Sequence, residues 1–286
     1  MSFRHYRLLH FTLKRNLSEV YLTIFMKVFA LSLIGLFVPI FLLNEVGVTL
    51  AELILYLLLL FFCIFVGYII AALIGRQAGI RKLIGISVPF YVVYYFLLYN
   101  INTIPVSIYM LAVIFGIGDG IFWFAYNIDF ARFSDKKHRG EEVKLWFVCA
   151  SLLGVSGPFI GGFLLSFVGF HVLFSIVIAL LVLSALPLMR SKDVFVKYNV
   201  SLKDMFNKKN YDNSYRYCAQ GVRLLTNGVF WPVFVFYLVP KYFSTGIVFA
   251  SSALFSSFAV WFLGDSVDKM NRRLFSDFAS MINGAV

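Results

Sequence analysis

Eight long apolar runs limit what this chain can fold into. They are Val20–Leu43, Leu50–Ile74, Leu83–Tyr99, Ile104–Ile128, Leu145–Val168, His171–Leu188, Val222–Pro240 and Gly246–Leu263. A helix needs ~20 largely apolar residues to cross the hydrocarbon core of a bilayer, and each run is of that order. Inside lipid the backbone must satisfy its own hydrogen bonds, so only helices and closed barrels can span. The runs are continuous and lack the in–out alternation of barrel strands, so they are read as helices. Composition agrees: 61% of the residues are hydrophobic, 34 are Phe, and mean hydropathy is +0.86. A soluble fold of this length cannot hide that much apolar surface. The expected class is therefore all-α, a multi-pass helical membrane bundle. The first run follows a basic leader but is too long for a signal core, so it is read as a retained span. A ninth apolar stretch, Leu274–Val286, is 13 residues long and too short to cross, so the chain reads as a truncated piece of a longer protein.

Charge is distributed by loop. Of the 25 Lys and Arg residues, 22 lie before the first run, between runs two and three, four and five, six and seven, and after run eight. The opposite connections, Asn44–Thr49, Asn100–Thr103, Gly169–Phe170 and Lys241–Thr245, hold only Lys241. By the positive-inside rule the basic loops and the N-terminus are cytoplasmic, in a cell (plasma or inner) membrane. The net charge of +11 is thus a topology signal and does not call for a nucleic-acid partner. The longest basic connection divides the chain. The expected organisation is a cytoplasmic N-terminal segment at 1–19, a six-span bundle at 20–188, a cytoplasmic linker at 189–221 and a partial second bundle at 222–286. Within the linker, Ser201 and Asp204 have capping-box spacing for a short helix Leu202–Phe206, either a surface-resting helix or an ordinary linker turn.

Several chemistries find no residues. Cys63, Cys149 and Cys218 are far apart, and the four histidines are equally scattered, so neither a disulfide framework nor a metal site is expected. No Gly-rich loop precedes a Lys-Ser or Lys-Thr pair, which argues against a built-in ATP motor. Neither a nucleophile–base pairing nor a cofactor motif is found, so the chain is not read as an enzyme and no cofactor is expected.

Two charges lie inside the runs. A charged side chain at the bilayer centre costs ~2.5–3.5 kcal/mol even on lenient scales and is functional by default. Lys27 sits in span one and Asp119 in span four, at depths of ~10 and ~13 Å from the cytoplasmic ends by helical rise. A pair at one level is either part of a substrate or coupling site or a structural ion pair locking two helices. Gly116, Gly118 and Gly120 bare the backbone around Asp119, leaving room for a ligand or for a close neighbouring helix. Trp123 and Tyr126 follow at helical steps, an aromatic face that suits an organic cation or plain packing. In span seven, Asn227 and Trp231 share a stripe with Arg223 and are second-half ligand candidates, Arg223 being close enough to the edge to anchor there. Gly35 with Pro39, and Gly228 with Pro232, make spans one and seven bendable. Glu52 sits at an outer helix end and is read as interfacial.

Span five reads SLLGVSGPFIGG from Ser151 to Gly162. Gly154, Gly157, Pro158, Gly161 and Gly162 strip side chains from the helix at three- and four-residue steps, and Pro158 removes a donor. The stretch is either a conformational joint or a static close-packed helix. The turns after spans two and eight also resemble each other. Shifting by 192 residues lays Ala72 on Gly264, Gly79 on Asn271 and Arg81 on Arg273, and Gly and Asn both tolerate left-handed turns. A parallel repeat of span bundles is common among secondary transporters.

These motifs resemble those of the major facilitator superfamily. The second turn matches the family pattern at Gly264, Asp268, Lys269, Arg272 and Arg273, with Asn271 in place of a glycine. The first keeps Gly79, Arg81 and Lys82 and departs by carrying Arg76 at the acid position. Gly157, Pro158, Gly161 and Gly162 match the span-five motif, with Gly154 one residue off its usual place. The resemblance implies a six-helix N-terminal half plus the start of a second half, with spans one, four and seven lining a central cavity and both turns acting as cytoplasmic gates. It implies a secondary transporter of a small-molecule solute, embedded in the lipid bilayer and driven by a proton or sodium gradient. The span-five motif is associated in the family with antiport and efflux. The alternative is a membrane sensor or interaction scaffold of the same architecture that no longer transports.

Overall fold

The computed structural model describes residues 15–133, 139–189, 195, 221–223 and 225–267. The elements are α1 Arg15–Ile34, α2 Val38–Asn44, α3 Leu50–Ala78, α4 Ile80–Tyr99, α5 Ile108–Phe133, α6 Arg139–Met189, a π-helical turn Thr226–Phe230, α7 Trp231–Leu238 and α8 Tyr242–Val267. The chain is an all-α membrane bundle, as its apolar runs require. Among the described residues, six helical segments are long and apolar enough to cross a membrane, and Tyr242–Phe258 is a shorter apolar one. The sequence marks eight; the shorter Tyr242–Phe258 accounts for one of the two missing, and a single turn accounts for the other. Segment Ser151–Pro187 contains both runs five and six, with Gly169 as the non-helical residue inside it.

Contacts fix the direction of each span. Ser32 meets Gly157 and Phe41 meets Phe170, so spans one and five run together. Tyr99 meets His171 and Tyr95 meets Phe174, so the chain turns back after Gly169. Leu60 lies against Gly116 and Tyr68 against Gly120, so spans two and four are parallel. Gly162 meets Gly246 and Gly154 meets Ala253, so span eight descends beside span five.

Two reversals hang on one residue each. Gly79 (φ 91, ψ 149) joins α3 to α4, and Gly169 (φ 76, ψ 178) joins the two arms of α6. That backbone region is nearly closed to residues with a Cβ. The short turn at Gly79 also draws Arg81, expected in a loop, into the first turn of α4, where it is buried. Span one breaks between Ile34 and Val38, as Gly35 and Pro39 suggest, with Phe37 N–H donating to the Ile34 carbonyl to tighten the step. Span seven carries its irregularity as the π turn immediately before Pro232, whose ring cannot accept the ordinary helical spacing. Glu52 closes a capping box with Thr49 at the start of α3, which accounts for its position at a helix end.

Close backbone approach holds the bundle where lipid supplies no hydrophobic drive. A Cβ on Gly116 would strike the Leu60 carbonyl, and one on Gly120 would strike the Ile64 carbonyl, so the neighbouring helix takes the space around Asp119 on that side. The linker helix Leu202–Phe206, the stretch Leu274–Val286, Asp268, Lys269, Arg272 and Arg273 lie outside the described residues. Gly264 lies within α8.

The turn geometry makes a prediction. Gly79→Ala and Gly169→Ala should each lower stability by ~1–3 kcal/mol, while Gly85→Ala, in open space on a helix, should be neutral or slightly stabilising. Thermal unfolding of the purified variants in detergent measures this. Equal melting temperatures for all three would contradict the assignment of these turns.

Candidate functional site

The intramembrane charges meet through a third residue. Lys27 Nζ donates to the Tyr91 hydroxyl at 2.6 Å, and that hydroxyl donates to Asp119 Oδ1 at 2.6 Å. Spans one, three and four each supply one member. The ammonium also lies 4.1 Å from the centroid of the Tyr91 ring and 2.8 Å over that of Phe122. Lys27 is 1% exposed and Tyr91 0%, whereas Asp119 is partly exposed. Trp123, one turn along from Asp119, is a further hydrogen-bond partner of its carboxylate.

Magnitudes explain why the arrangement needs three groups. Bringing a lysine and an aspartate into the membrane costs ~5–7 kcal/mol on the lenient scale. Two hydrogen bonds involving charged groups return ~3–6 kcal/mol, and a desolvated cation over a ring adds ~2. The sums roughly cancel, so losing any one partner leaves a charge in deficit. Gly118 lets Phe90 press against the backbone of span four, which brings the next residue, Tyr91, to Asp119.

The other candidate ligands divide into two places. Trp123 and Tyr126 lie beside the chain: Tyr126 is buried, stacked on Phe122 at 6.1 Å and edge-on to Trp123 at 5.6 Å. Asn227 is exposed on the π turn, and Trp231 lines an open groove of about 870 Å³ with Leu43, Thr49, Leu50, Phe230 and Tyr237. Among the described residues, neither shares a hydrogen bond or ring contact with Lys27, Tyr91 or Asp119. The structure thus brings Trp123 and Tyr126 to the charges and leaves Asn227 and Trp231 apart from them.

The span-five glycines serve two neighbours. Gly157 lies against Ser32 and Gly161 against Leu33 and Phe37, all in span one. Gly162 lies against Tyr242, Phe243 and Gly246, and the Pro158 carbonyl lies against Gly246, all in span eight. Gly154 only approaches Ala253. Ser166 accepts a hydrogen bond from the Phe243 N–H at 3.2 Å on the same seam. At its end Tyr242 donates to Glu45 Oε1 at 3.1 Å and packs against Phe37, Phe170 and Phe236. At the turn after span two, Arg81 Nε lies 3.8 Å from Asp129 Oδ1, both buried.

Tyr91, Phe122, Asp129 and Gly246 escaped the sequence reading. Tyr91 and Phe122 are neutral rings in a chain that is 19% aromatic. Asp129 falls one residue beyond the marked end of span four, where an acid looks like a loop residue. Gly246 stood at the marked start of span eight with no stripe around it. Its contact with Pro158 and Gly162 exists only in three dimensions.

A model of the Major Facilitator Superfamily matches residues 20–285. Comparison with curated proteins finds no match.

The buried Arg81–Asp129 pair makes a prediction. Arg81→Ala should destabilise the protein by ~3–5 kcal/mol because it removes the counter-charge beside a buried carboxylate, whereas replacing the exposed Lys82 should cost less than ~1. Denaturation of both variants in mixed micelles measures the difference. Similar losses for the two would show that the ion pair carries no such energy.

Proposed function

The chain belongs to the Major Facilitator Superfamily and is a multi-pass membrane transporter, and on that premise we propose that it moves a small-molecule solute by gradient-driven alternating access, with Lys27 and Asp119 in its coupling or substrate site. The observation that carries the proposal is the hydrogen-bonded chain Lys27–Tyr91–Asp119 inside an apolar bundle. A purely structural tether would more cheaply be apolar, whereas this one holds an aspartate that is only partly buried. Trp123 and Tyr126 form the aromatic wall beside that aspartate, and Asn227 and Trp231 are held as contributions from the second bundle.

The bundle boundary at residues 189–221 gives the division into halves. Span five faces span one through Gly157 and Gly161, and span eight through Gly162 and Pro158, so the joint between halves narrows to the second pair with Gly246. Gly154 sits at the loose end of that seam. A face without side chains can slide or tilt against its partner with little steric change, which suits rocking of two bundles about a midplane site. Gly79 and Arg81, and in the second half Gly264, Asp268, Arg272 and Arg273, are the gate turns of this reading. Export in exchange for a proton or sodium ion, a cell-membrane location and a cytoplasmic N-terminus complete it, the last from the charge of the loops. The mechanism requires no catalysis of covalent change.

The test is a transport assay. Proteoliposomes are screened with a panel of labelled organic solutes under imposed proton and sodium gradients, and the solute carried by the wild type is then given to Lys27→Ala and Asp119→Asn. Each variant should lose at least about tenfold in rate at matched protein, the effect of ~1.4 kcal/mol in barrier. Wild-type rates in both would remove the site assignment. A solute that binds the wild type without crossing would favour the sensor reading.

A further inference from the structure

We propose that Tyr91 is the proton relay of this site, passing a proton between the Asp119 carboxyl and the sealed Lys27 amine. The proposal rests on the transporter reading above and deepens it by naming the coupling ion as a proton.

The geometry carries it. Lys27 is sealed: its ammonium faces the Phe122 ring, the Tyr91 ring and the Tyr91 hydroxyl, and among the described residues that hydroxyl is its hydrogen-bond partner. Asp119 is the less buried end of the chain, and the proposal takes it as the end that meets water. An ammonium can only donate, a carboxylate can only accept, and a phenol does both. The three therefore form a directed chain that can be inverted. In the step, a Lys27 Nζ–H bond breaks and its proton goes to the Tyr91 oxygen. The Tyr91 hydroxyl proton leaves at the same time and forms an O–H bond at Asp119 Oδ1. The nitrogen keeps its electron pair, and the ammonium and carboxylate become an amine and a carboxylic acid with no change in total charge. Release of the new acid proton to water at that end then discharges Lys27, and the reverse sequence loads it.

Sodium fits the same place poorly. A hard cation needs several oxygen lone pairs turned toward it. The partners of the Asp119 carboxylate, Tyr91 and Trp123, are hydrogen donors. Among the described residues, no group of three or more His, Cys, Asp or Glu gathers here or elsewhere. The other titratable side chains facing the chain are Tyr68 from span two and Tyr95 from span three. Tyr68 is engaged with Asn127, and Tyr95 packs on the rings of Tyr94 and Phe174. Asp129 lies ten residues beyond Asp119 on span four and Arg81 ten residues before Tyr91 on span three, each ~15 Å away by helical rise. The buried Tyr56–Tyr94 hydroxyl pair, 2.9 Å apart, bonds to no charged group among the described residues and serves as a control.

The experiment uses the full chain in liposomes and requires no solute. Infrared difference spectra are recorded through an acid titration of wild type, Asp119→Asn, Tyr91→Phe and Tyr94→Phe. The relay predicts that a carboxylic C=O band and a tyrosine ring mode rise together in the wild type with one midpoint. Asp119→Asn should abolish both. Tyr91→Phe, which keeps the ring beneath Lys27, should abolish the tyrosine mode and displace the midpoint of the carboxyl band by about one pH unit or more. Tyr94→Phe should change neither. A tyrosine mode that survives in Tyr91→Phe, or a carboxyl midpoint that stays put, overturns the relay. Ring-labelled tyrosine placed at position 91 alone by nonsense suppression identifies the mode in a chain of otherwise wild-type sequence, so the test holds even where a variant does not fold. Failure of the transporter reading looks different: Asp119→Asn would then transport normally while these spectra remained coupled.

Discussion

A charge inside lipid has to be answered from within the protein, and that constraint organises the first four spans. Lys27 cannot reach the bilayer surface while its ammonium is held under the Phe122 ring and against the Tyr91 hydroxyl. The hydroxyl in turn requires span three to lie close to span four, and Gly118 permits it by admitting Phe90 to its backbone. Span four is fixed from the other side by Gly116 and Gly120, which lie against span two. The glycines around Asp119 are thus used for helix packing, and the packing leaves Asp119 only partly buried. Chemistry and architecture share the same residues, because in lipid close contact of backbones supplies the association energy that water would otherwise supply.

Span five extends the same device to the second half of the chain. Its small residues are divided between two neighbours, with Gly157 and Gly161 turned to span one and Gly162 turned to span eight. The seam continues through Ser166 and Phe243 to Tyr242, which ties the start of span eight to Glu45 and to the rings at the end of span one. One helix therefore touches both sides of the proposed moving boundary, its contact with span eight made mostly of backbone and small side chains. The polar tie of Tyr242 lies at one end of that seam, where its making and breaking would accompany any relative tilt.

The fold was legible because lipid admits few solutions. Run length, continuity and loop charge were enough for an all-α bundle, and Gly79 was legible as a turn residue because the internal repeat lays it on Asn271 and both residues tolerate positive φ. The turn at Gly169 was read as a two-residue loop, and here it is one residue within a continuous helical assignment. Lys27 and Asp119 were legible because charges are rare in apolar runs. Their linkage was not, since tyrosine is common in this chain and nothing in one dimension distinguishes Tyr91 from Tyr94 or Tyr95. Glycine spacing showed that span five had a bare face, but a stripe does not say which helix covers it. Asn227 and Trp231 shared a stripe with Arg223 by periodicity, yet the π turn at Thr226–Phe230 shifts that register, and the two residues stand apart from the charges.

The central claim is that Asp119 belongs to a site reached in turn from each side of the membrane, while Lys27 is reached only through it. Accessibility tests this most directly. The wild-type chain is exposed to membrane-impermeant carboxyl and amine reagents in right-side-out and in inverted vesicles, and the modified residues are located by peptide mass mapping. The account predicts labelling of position 119 in both orientations and of position 27 in neither. Position 119 unreactive from both sides, or reactive from one side only, would contradict it.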